Sequence, residues 1–200
     1  MTNKDQRTFA VAMTGASGAV YGIRLVQTLL EEGHRIHFLM SSAAWQVFDQ
    51  EVGLDISDKE ACLKKLFPSG DLHVHGKQDF SAPIASGSYK HDGMIVVPCS
   101  MGTLSKMAHG NSGSLLERSA DVTLKEGRPL IIVPRETPLH SIHLENMKRL
   151  ADLGAAIIPA MPGFYHQPQS MDDLINFVVG KVLDRLNVEH ELFKRWGEMS

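Results

Sequence analysis

Short apolar runs alternate with helix-patterned segments along this chain, and that alternation restricts the fold more than any other feature. Phe9–Met13 gives way to Val20, Ile23, Val26 and Leu30 at three- and four-residue steps. Gly33 stops that helix, and Ile36–Met40 is the next apolar run. Ser41 and Ser42 offer an N-cap for a helix reaching about Val52. Between residues 53 and 92 the pattern weakens to a helical piece at Lys59–Leu66, a candidate strand at Leu72–His75 and a Ser-, Gly-, Ala- and Pro-rich loop at Ser81–Tyr89. It returns with strands at Met94–Val97, Leu130–Val133 and Ala155–Ile158, and helices at Leu104–Ala108, Leu115–Lys125, Leu144–Leu153 and Met171–Leu186. Strands joined by helices require right-handed crossovers. The expectation is therefore an α/β fold: a three-layer, doubly wound, mostly parallel sheet, flavodoxin- or Rossmann-like.

Size and charge narrow the partners. With 200 residues and no linker or internal repeat, the chain reads as one domain, residues 1–200. A net charge of −3 supplies no basic field for nucleic acid. Two cysteines, Cys62 and Cys99, cannot make a disulfide scaffold, which points to a reducing cytoplasm. No signal segment is visible, and no run approaches the roughly 20 apolar residues of a membrane span.

In open α/β sheets ligands bind beyond the carboxyl ends of the strands, so the loops there carry the chemistry. Gly15-Ala16-Ser17-Gly18 follows the first strand, where nucleotide folds place a glycine turn. Its spacing is GxxG, not GxGxxG, and no Gly-Lys-Ser/Thr follows, so ATP or GTP hydrolysis is not expected. Ser41 and Cys99-Ser100-Met101-Gly102-Thr103 fall on the same edge; the serines suit either helix capping or a phosphorylated planar ligand. Pro134–Met147 places Arg135 and Glu136, flanked by two prolines, at the end of the Leu130–Val133 strand. That pair reads as a ligand platform, with a surface ion pair capping a helix as the alternative.

Taken together, these motifs resemble the UbiX-like flavin prenyltransferases from about residue 8 to Trp196. The resemblance is carried by Gly15–Ala19 with Tyr21-Gly22 and Arg24-Leu25, by Ala85-Ser86-Gly87-Ser88, and by Pro98-Cys99-Ser100-Met101. It continues through Arg118–Val122 with Leu124-Lys125-Glu126, the Pro134–Met147 segment, and Pro162–Pro168. It implies an FMN-binding domain that joins a dimethylallyl group from dimethylallyl phosphate to N5 and C6 of reduced FMN. The prenylated FMN then serves UbiD-like decarboxylases, a role associated with ubiquinone biosynthesis. It implies flavin contacts from Gly15, Ala16, Ser17, Ser41, Cys99, Ser100, Met101, Gly102 and Arg135. Prenyl phosphate contacts are implied from Lys125, Tyr165 and Lys181, with Ser86, Gly87 and Arg118 close by and Trp196 or Phe80 as aromatic walls. Ser17, Glu51 and Glu136 are implied at the reacting flavin edge. A homo-oligomer, commonly a dodecamer, is implied, with neighbouring subunits completing each site and the tail 187–200 packing at an interface.

Some positions depart from that pattern. Lys181 stands where Arg is usual, which keeps the charge but loses the bidentate fork. Gly102 stands where many relatives have Lys, and Phe80 where Trp is common. No metal is expected: Asp172-Asp173 reads as a helix start favoured by the dipole, and the pairs His73/His75 and His140/His143 lack a clear third ligand. Cys99, Met101 and Met107 read as packing rather than chemistry. Two other readings are an FMN-dependent cysteine decarboxylase and a non-enzymatic FMN carrier. The first normally carries a Pro-Ala-Ser-Ala-Asn-Thr-type loop where this chain has Pro98–Thr103. The second leaves Lys125, Arg135, Tyr165 and Lys181 without a purpose.

Overall fold

The computed structural model describes residues 6–197. Six strands form one sheet: β1 (Thr8–Met13), β2 (Arg35–Met40), β3 (Asp71–His75), β4 (Gly93–Cys99), β5 (Leu130–Pro134) and β6 (Ala156–Ile157). Their order is β3-β2-β1-β4-β5-β6, and every pairing is parallel. This is the doubly wound Rossmann order, whose direction reverses between β1 and β4. β1, β4 and β5 are almost continuously buried, as expected of strands covered on both faces.

The helices are α1 (Ala19–Glu31), α2 (Ser42–Val52), α3 (Lys59–Leu66), α4 (Met101–Ala108), α5 (Leu115–Lys125), α6 (Ser141–Asp152) and α7 (Met171–Arg185). Alternation along β1 sorts them into two layers. Phe9, Val11 and Met13 face α1, α2, α3 and α7, whereas Ala10 and Ala12 face α4, α5 and α6. Phe9, Phe38 and Phe48 are fully buried on the first side, and truncating any one of them to alanine would cost about 3–5 kcal/mol. In the first turn of α1, a side chain on Gly22 would meet Val97 O at 2.7 Å and the Met13 thioether at 2.9 Å. The glycine lets α1 lie close on β1 and β4.

The sequence reading of α3 and α5 holds to the residue, as does Ser41 as N-cap of α2. Asp172 and Asp173 do open a helix: Asp173 forms a capping box with Ser170, and Asp172 pairs with Arg24 at 3.1 Å. α4 and α6 each begin three residues earlier than their apolar periodicity suggested, because Ser100 caps α4 and the exposed first turn of α6 adds no core residue. The Ser81–Tyr89 loop contains a 3₁₀ turn at Pro83–Ala85. Among the described residues no helix is long and apolar enough to cross a membrane.

Candidate active site

The carboxyl ends of β1 and β4 meet at the point where the strand order reverses, and one buried side chain ties them together. Thr14 Oγ1 donates to Pro98 O at 2.9 Å and accepts from Ser100 N at 2.7 Å. Ser100 then caps α4, its Oγ accepting from Thr103 N. Ser41 N donates to Met13 O at 3.0 Å, which brings the end of β2 into the same edge. Sequence reasoning missed Thr14; its position between the buried end of β1 and the glycine turn was the available signal.

The glycine turn is not an empty anion seat. Gly18, held at φ 107° where a side chain is disfavoured, caps α1. The Glu51 carboxylate from the end of α2 fills the helix N-terminus, accepting from Gly18 N at 3.0 Å and Ala19 N at 2.8 Å. Burial alone would raise the Glu51 pKa. Hydrogen bonds from the Ser17 hydroxyl and the Ala19 and Gly18 amides, with the Arg135 charge, outweigh it and hold the carboxyl below its ordinary value. The expected Ser17–Glu51 juxtaposition is thus formed, from residues 34 positions apart in sequence.

Arg135 leaves β5 at this edge, its amide donating to Cys99 O at 3.3 Å. Its Nε is buried and has no hydrogen-bond partner among the described residues. An orphaned, buried guanidinium donor costs more than 1 kcal/mol unless something accepts from it. Cys99 is fully buried, and burial pushes its thiol pKa up, which suits packing rather than nucleophilic attack. Met101 and Met107 are likewise core residues. Glu136 is exposed and accepts from the amide of Thr137 at 3.1 Å, so within one chain it is turned to its own loop.

The residues expected around a prenyl phosphate fall into two groups. One lies on the α7 flank. Ala160 N donates to Pro134 O at 3.0 Å, so the segment leading to Tyr165 leaves from the Arg135 edge. Tyr165 packs edge-on against Phe177 and Trp196, and Lys181 Nζ sits 5.1 Å above the Phe193 ring. Trp196 is 75% exposed. Its neighbour Arg195 bonds Asp184 at 2.8 Å, so this part of the tail packs on its own α7. The tail residues after Gly197 lie outside the described region.

The other group gathers at the opposite end of the sheet. Arg118 Nε donates to Ala85 O at 3.1 Å, and Arg128 donates to Gly87 O at 2.7 Å and Tyr89 O at 2.8 Å. Lys125 pairs with Glu126 against Gly87, where any side chain would strike both. Lys125 ends α5 just before β5 begins, whereas Arg135 follows that strand's end. Five strand residues separate the two edges by about 16 Å. One chain therefore presents two half-sites facing away from each other.

Elsewhere, His37 is buried in a chain of contacts that links β2 to the Ser86–Tyr89 loop. Its Nδ1 lies 2.8 Å from His75 Nε2 and its Nε2 2.8 Å from the Tyr89 hydroxyl. Burial and the neighbouring histidines lower its pKa to about 4. Among the described residues no three His, Cys, Asp or Glu side chains are grouped to hold a metal ion.

Comparisons with known proteins place the chain in a family. The profile of the flavoprotein family matches residues 1–183. The flavin prenyltransferase UbiX of Alkalihalophilus pseudofirmus is 58% identical over 99% of this chain and 100% of its own length. That of Pseudomonas aeruginosa is 48% identical over 94% of this chain and 93% of its own. Among solved structures, AnUbiX (PadA1) in complex with FMN and dimethylallyl pyrophosphate superposes with a TM-score of 0.89 at 41% identity, covering 96% of this chain and 98% of that one. A dodecameric FMN-dependent UbiX-like decarboxylase from Escherichia coli O157:H7 gives 0.86 at 43% identity, covering 94% and 98%. The peptidyl-cysteine decarboxylase EpiD, at 16% identity and a TM-score of 0.60 over 91% of this chain and 99% of its own, shares the fold alone.

Proposed function

Since the chain belongs to the flavoprotein family, and within it to the flavin prenyltransferases of the UbiX type, we propose that its two half-sites are the flavin and prenyl-phosphate halves of one composite active site. The protein is a flavin prenyltransferase and its flavin is FMN. Reduced FMN supplies the nucleophilic N5 and C6 to which the dimethylallyl group is joined.

The observation that carries the residue assignment is the pairing of an ionised Glu51 with a buried, unpartnered Arg135 Nε–H at the switch point. Arg135 donates to the flavin. Gly15, Ala16, Ser17, Ser41, Cys99, Ser100, Met101 and Gly102 line the floor and walls. Glu51, kept ionised by the donors around it, accepts a proton during ring closure, with the Ser17 hydroxyl bridging to it. Glu136 serves the same edge once its loop turns from Thr137.

Breaking an allylic C–O bond puts negative charge on the departing phosphate, and cations placed there beforehand lower the barrier. Tyr165 and Lys181 approach from the α7 flank. A second copy brings Ser86, Gly87, Arg118 and Lys125 from its opposite edge. Trp196 and Phe80, both exposed in the single chain, close the pocket against water. A desolvated aromatic face stabilises positive charge by about 2 kcal/mol, enough to steer an allylic cation but not to supply the rate. The assembly is a homo-oligomer, in our reading a dodecamer, and the chain works in the cytoplasm. The prenylated flavin passes to a UbiD-like decarboxylase, in ubiquinone biosynthesis or a related route.

The direct test is anaerobic incubation of the oligomer with reduced FMN and dimethylallyl monophosphate or diphosphate, followed by mass measurement of the released flavin. A flavin heavier by one prenyl unit is expected with at least one donor. Unchanged flavin with both would refute the reading.

A further inference from the structure

The connection from β3 to β4 carries Phe80, Ser86 and Gly87, and it has neither a strand nor an α-helix to hold them in place. We propose that His37 and His75 are positioning residues for the prenyl donor: together they clamp both ends of this connection to the sheet, and so set where Ser86 and Gly87 meet the phosphate. The inference rests on Ser86 and Gly87 belonging to the prenyl-phosphate half-site. At one end, His37 Nε2 lies 2.8 Å from the Tyr89 hydroxyl, while His37 Nδ1 lies 2.8 Å from His75 Nε2. At the other end, the remaining His75 nitrogen, Nδ1, faces the Asp79 carboxylate at 3.8 Å, close enough for the charge to orient the ring but too long for a hydrogen bond. One histidine on β2 and one on β3 thus bridge the residue just before Phe80 to a residue just after Gly87.

The network has one consistent direction. Both rings are neutral near neutral pH: burial lowers the His75 pKa below its ordinary value and, with the neighbouring histidines, lowers that of His37 to about 4. A carboxylate attracts an N–H and repels a lone pair, so His75 carries its proton on Nδ1 and accepts at Nε2. His37 therefore donates from Nδ1 and accepts at Nε2, and the Tyr89 hydroxyl donates to it. Removing any member orphans the next, so the chain fixes one geometry. His37 is buried on β2, where an aliphatic side chain would cost less to desolvate. Inside the loop, Tyr89 N donates to Ser86 O at 3.3 Å, and Arg128 donates to the carbonyls of Gly87 and Tyr89. A shift of Tyr89 therefore carries Ser86 and Gly87 with it.

Steady-state kinetics of the intact oligomer, with reduced FMN and whichever of dimethylallyl monophosphate or diphosphate it uses, test the proposal alongside fluorescence titration of FMN. Ser86→Ala checks the half-site and should raise KM for the donor. Tyr89→Phe removes only the hydroxyl. It should raise the donor KM about fivefold, the scale of one lost hydrogen bond, with kcat and FMN affinity unchanged. His37→Leu should raise it about tenfold or more, and His37→Gln, whose amide oxygen can accept from Tyr89, should recover most of the loss. A wild-type donor KM in Tyr89→Phe alongside a raised one in Ser86→Ala would overturn the clamp. So would a loss of kcat and FMN affinity equal to the rise in KM, the mark of general loosening. An unchanged KM in Ser86→Ala would instead sink the half-site assignment, and this inference with it.

Discussion

Glu51 shows most plainly how a residue takes its role from its surroundings. A carboxylate at the end of α2 would ordinarily oppose the helix dipole, yet this one caps the start of α1 and gains two amide donors and a hydroxyl. Glu51→Gln should slow adduct formation by about 10²-fold or more while FMN binding survives, as measured by single-turnover flavin mass and by fluorescence titration. Wild-type turnover would remove Glu51 from the chemistry. The same residue should leave a pH signature. Its folded-state pKa is depressed from the ordinary 4.5, so the stability it contributes is fully present above that value and is lost as pH falls through the folded pKa. The stability gap between wild type and Glu51→Gln, read by urea unfolding, should therefore be larger at about pH 7 than at about pH 4. Sequence alone pointed to Glu51 only through family resemblance, because contact between residues 18 and 51 depends on how α2 folds back over the glycine turn. Thr14 was missed for a related reason: nothing local distinguishes it from an ordinary strand end.

At the level of elements, α3 and α5 were legible to the residue, and α2 through its Ser41 cap. A helix whose first turn is exposed was not: α6 begins with Ser141 and Ile142 in solvent, so its hydrophobic pattern starts late. The contact of His37 with His75 and Tyr89 was also hidden. The pair His73/His75 does share a strand face, and both rings stack on His37 of the neighbouring strand, whose Nδ1 meets His75 Nε2. The closeness of α1 to the sheet makes a sharper prediction. Gly22→Ala places a methyl against Val97 O and Met13, so it should destabilise the fold by about 1–3 kcal/mol even though alanine is the better helix former. Thermal or urea unfolding measures this; a neutral or stabilising result would mean that α1 sits less tightly on β1 and β4 than described.

The whole molecule poses a geometric problem that a single copy does not solve. The flavin edge with Arg135 and the Gly87–Lys125 edge lie at opposite ends of the strands, while Tyr165 and Lys181 gather about Phe177 on α7. Ile142, Leu144, Leu153, Met161, Phe164, Met171 and Trp196 are exposed, far more apolar surface than a lone domain gains by showing. Both facts are met if one copy's flavin edge docks on another's α5 end, as closed symmetric assemblies permit. The fold class was legible from strand–helix alternation, and the loops that carry the proposed site residues from their motifs. Their division between two edges was not, because it follows from strand order and helix direction. The decisive measurement mixes two inactive variants, Glu51→Gln and Lys125→Ala, unfolds and reassembles them together, and assays prenylated FMN by mass. Random assembly of composite sites predicts recovery to about a quarter of wild-type activity, since a quarter of the sites draw both intact halves. No recovery above the separate variants, in assemblies shown to be mixed, would contradict a site shared between copies.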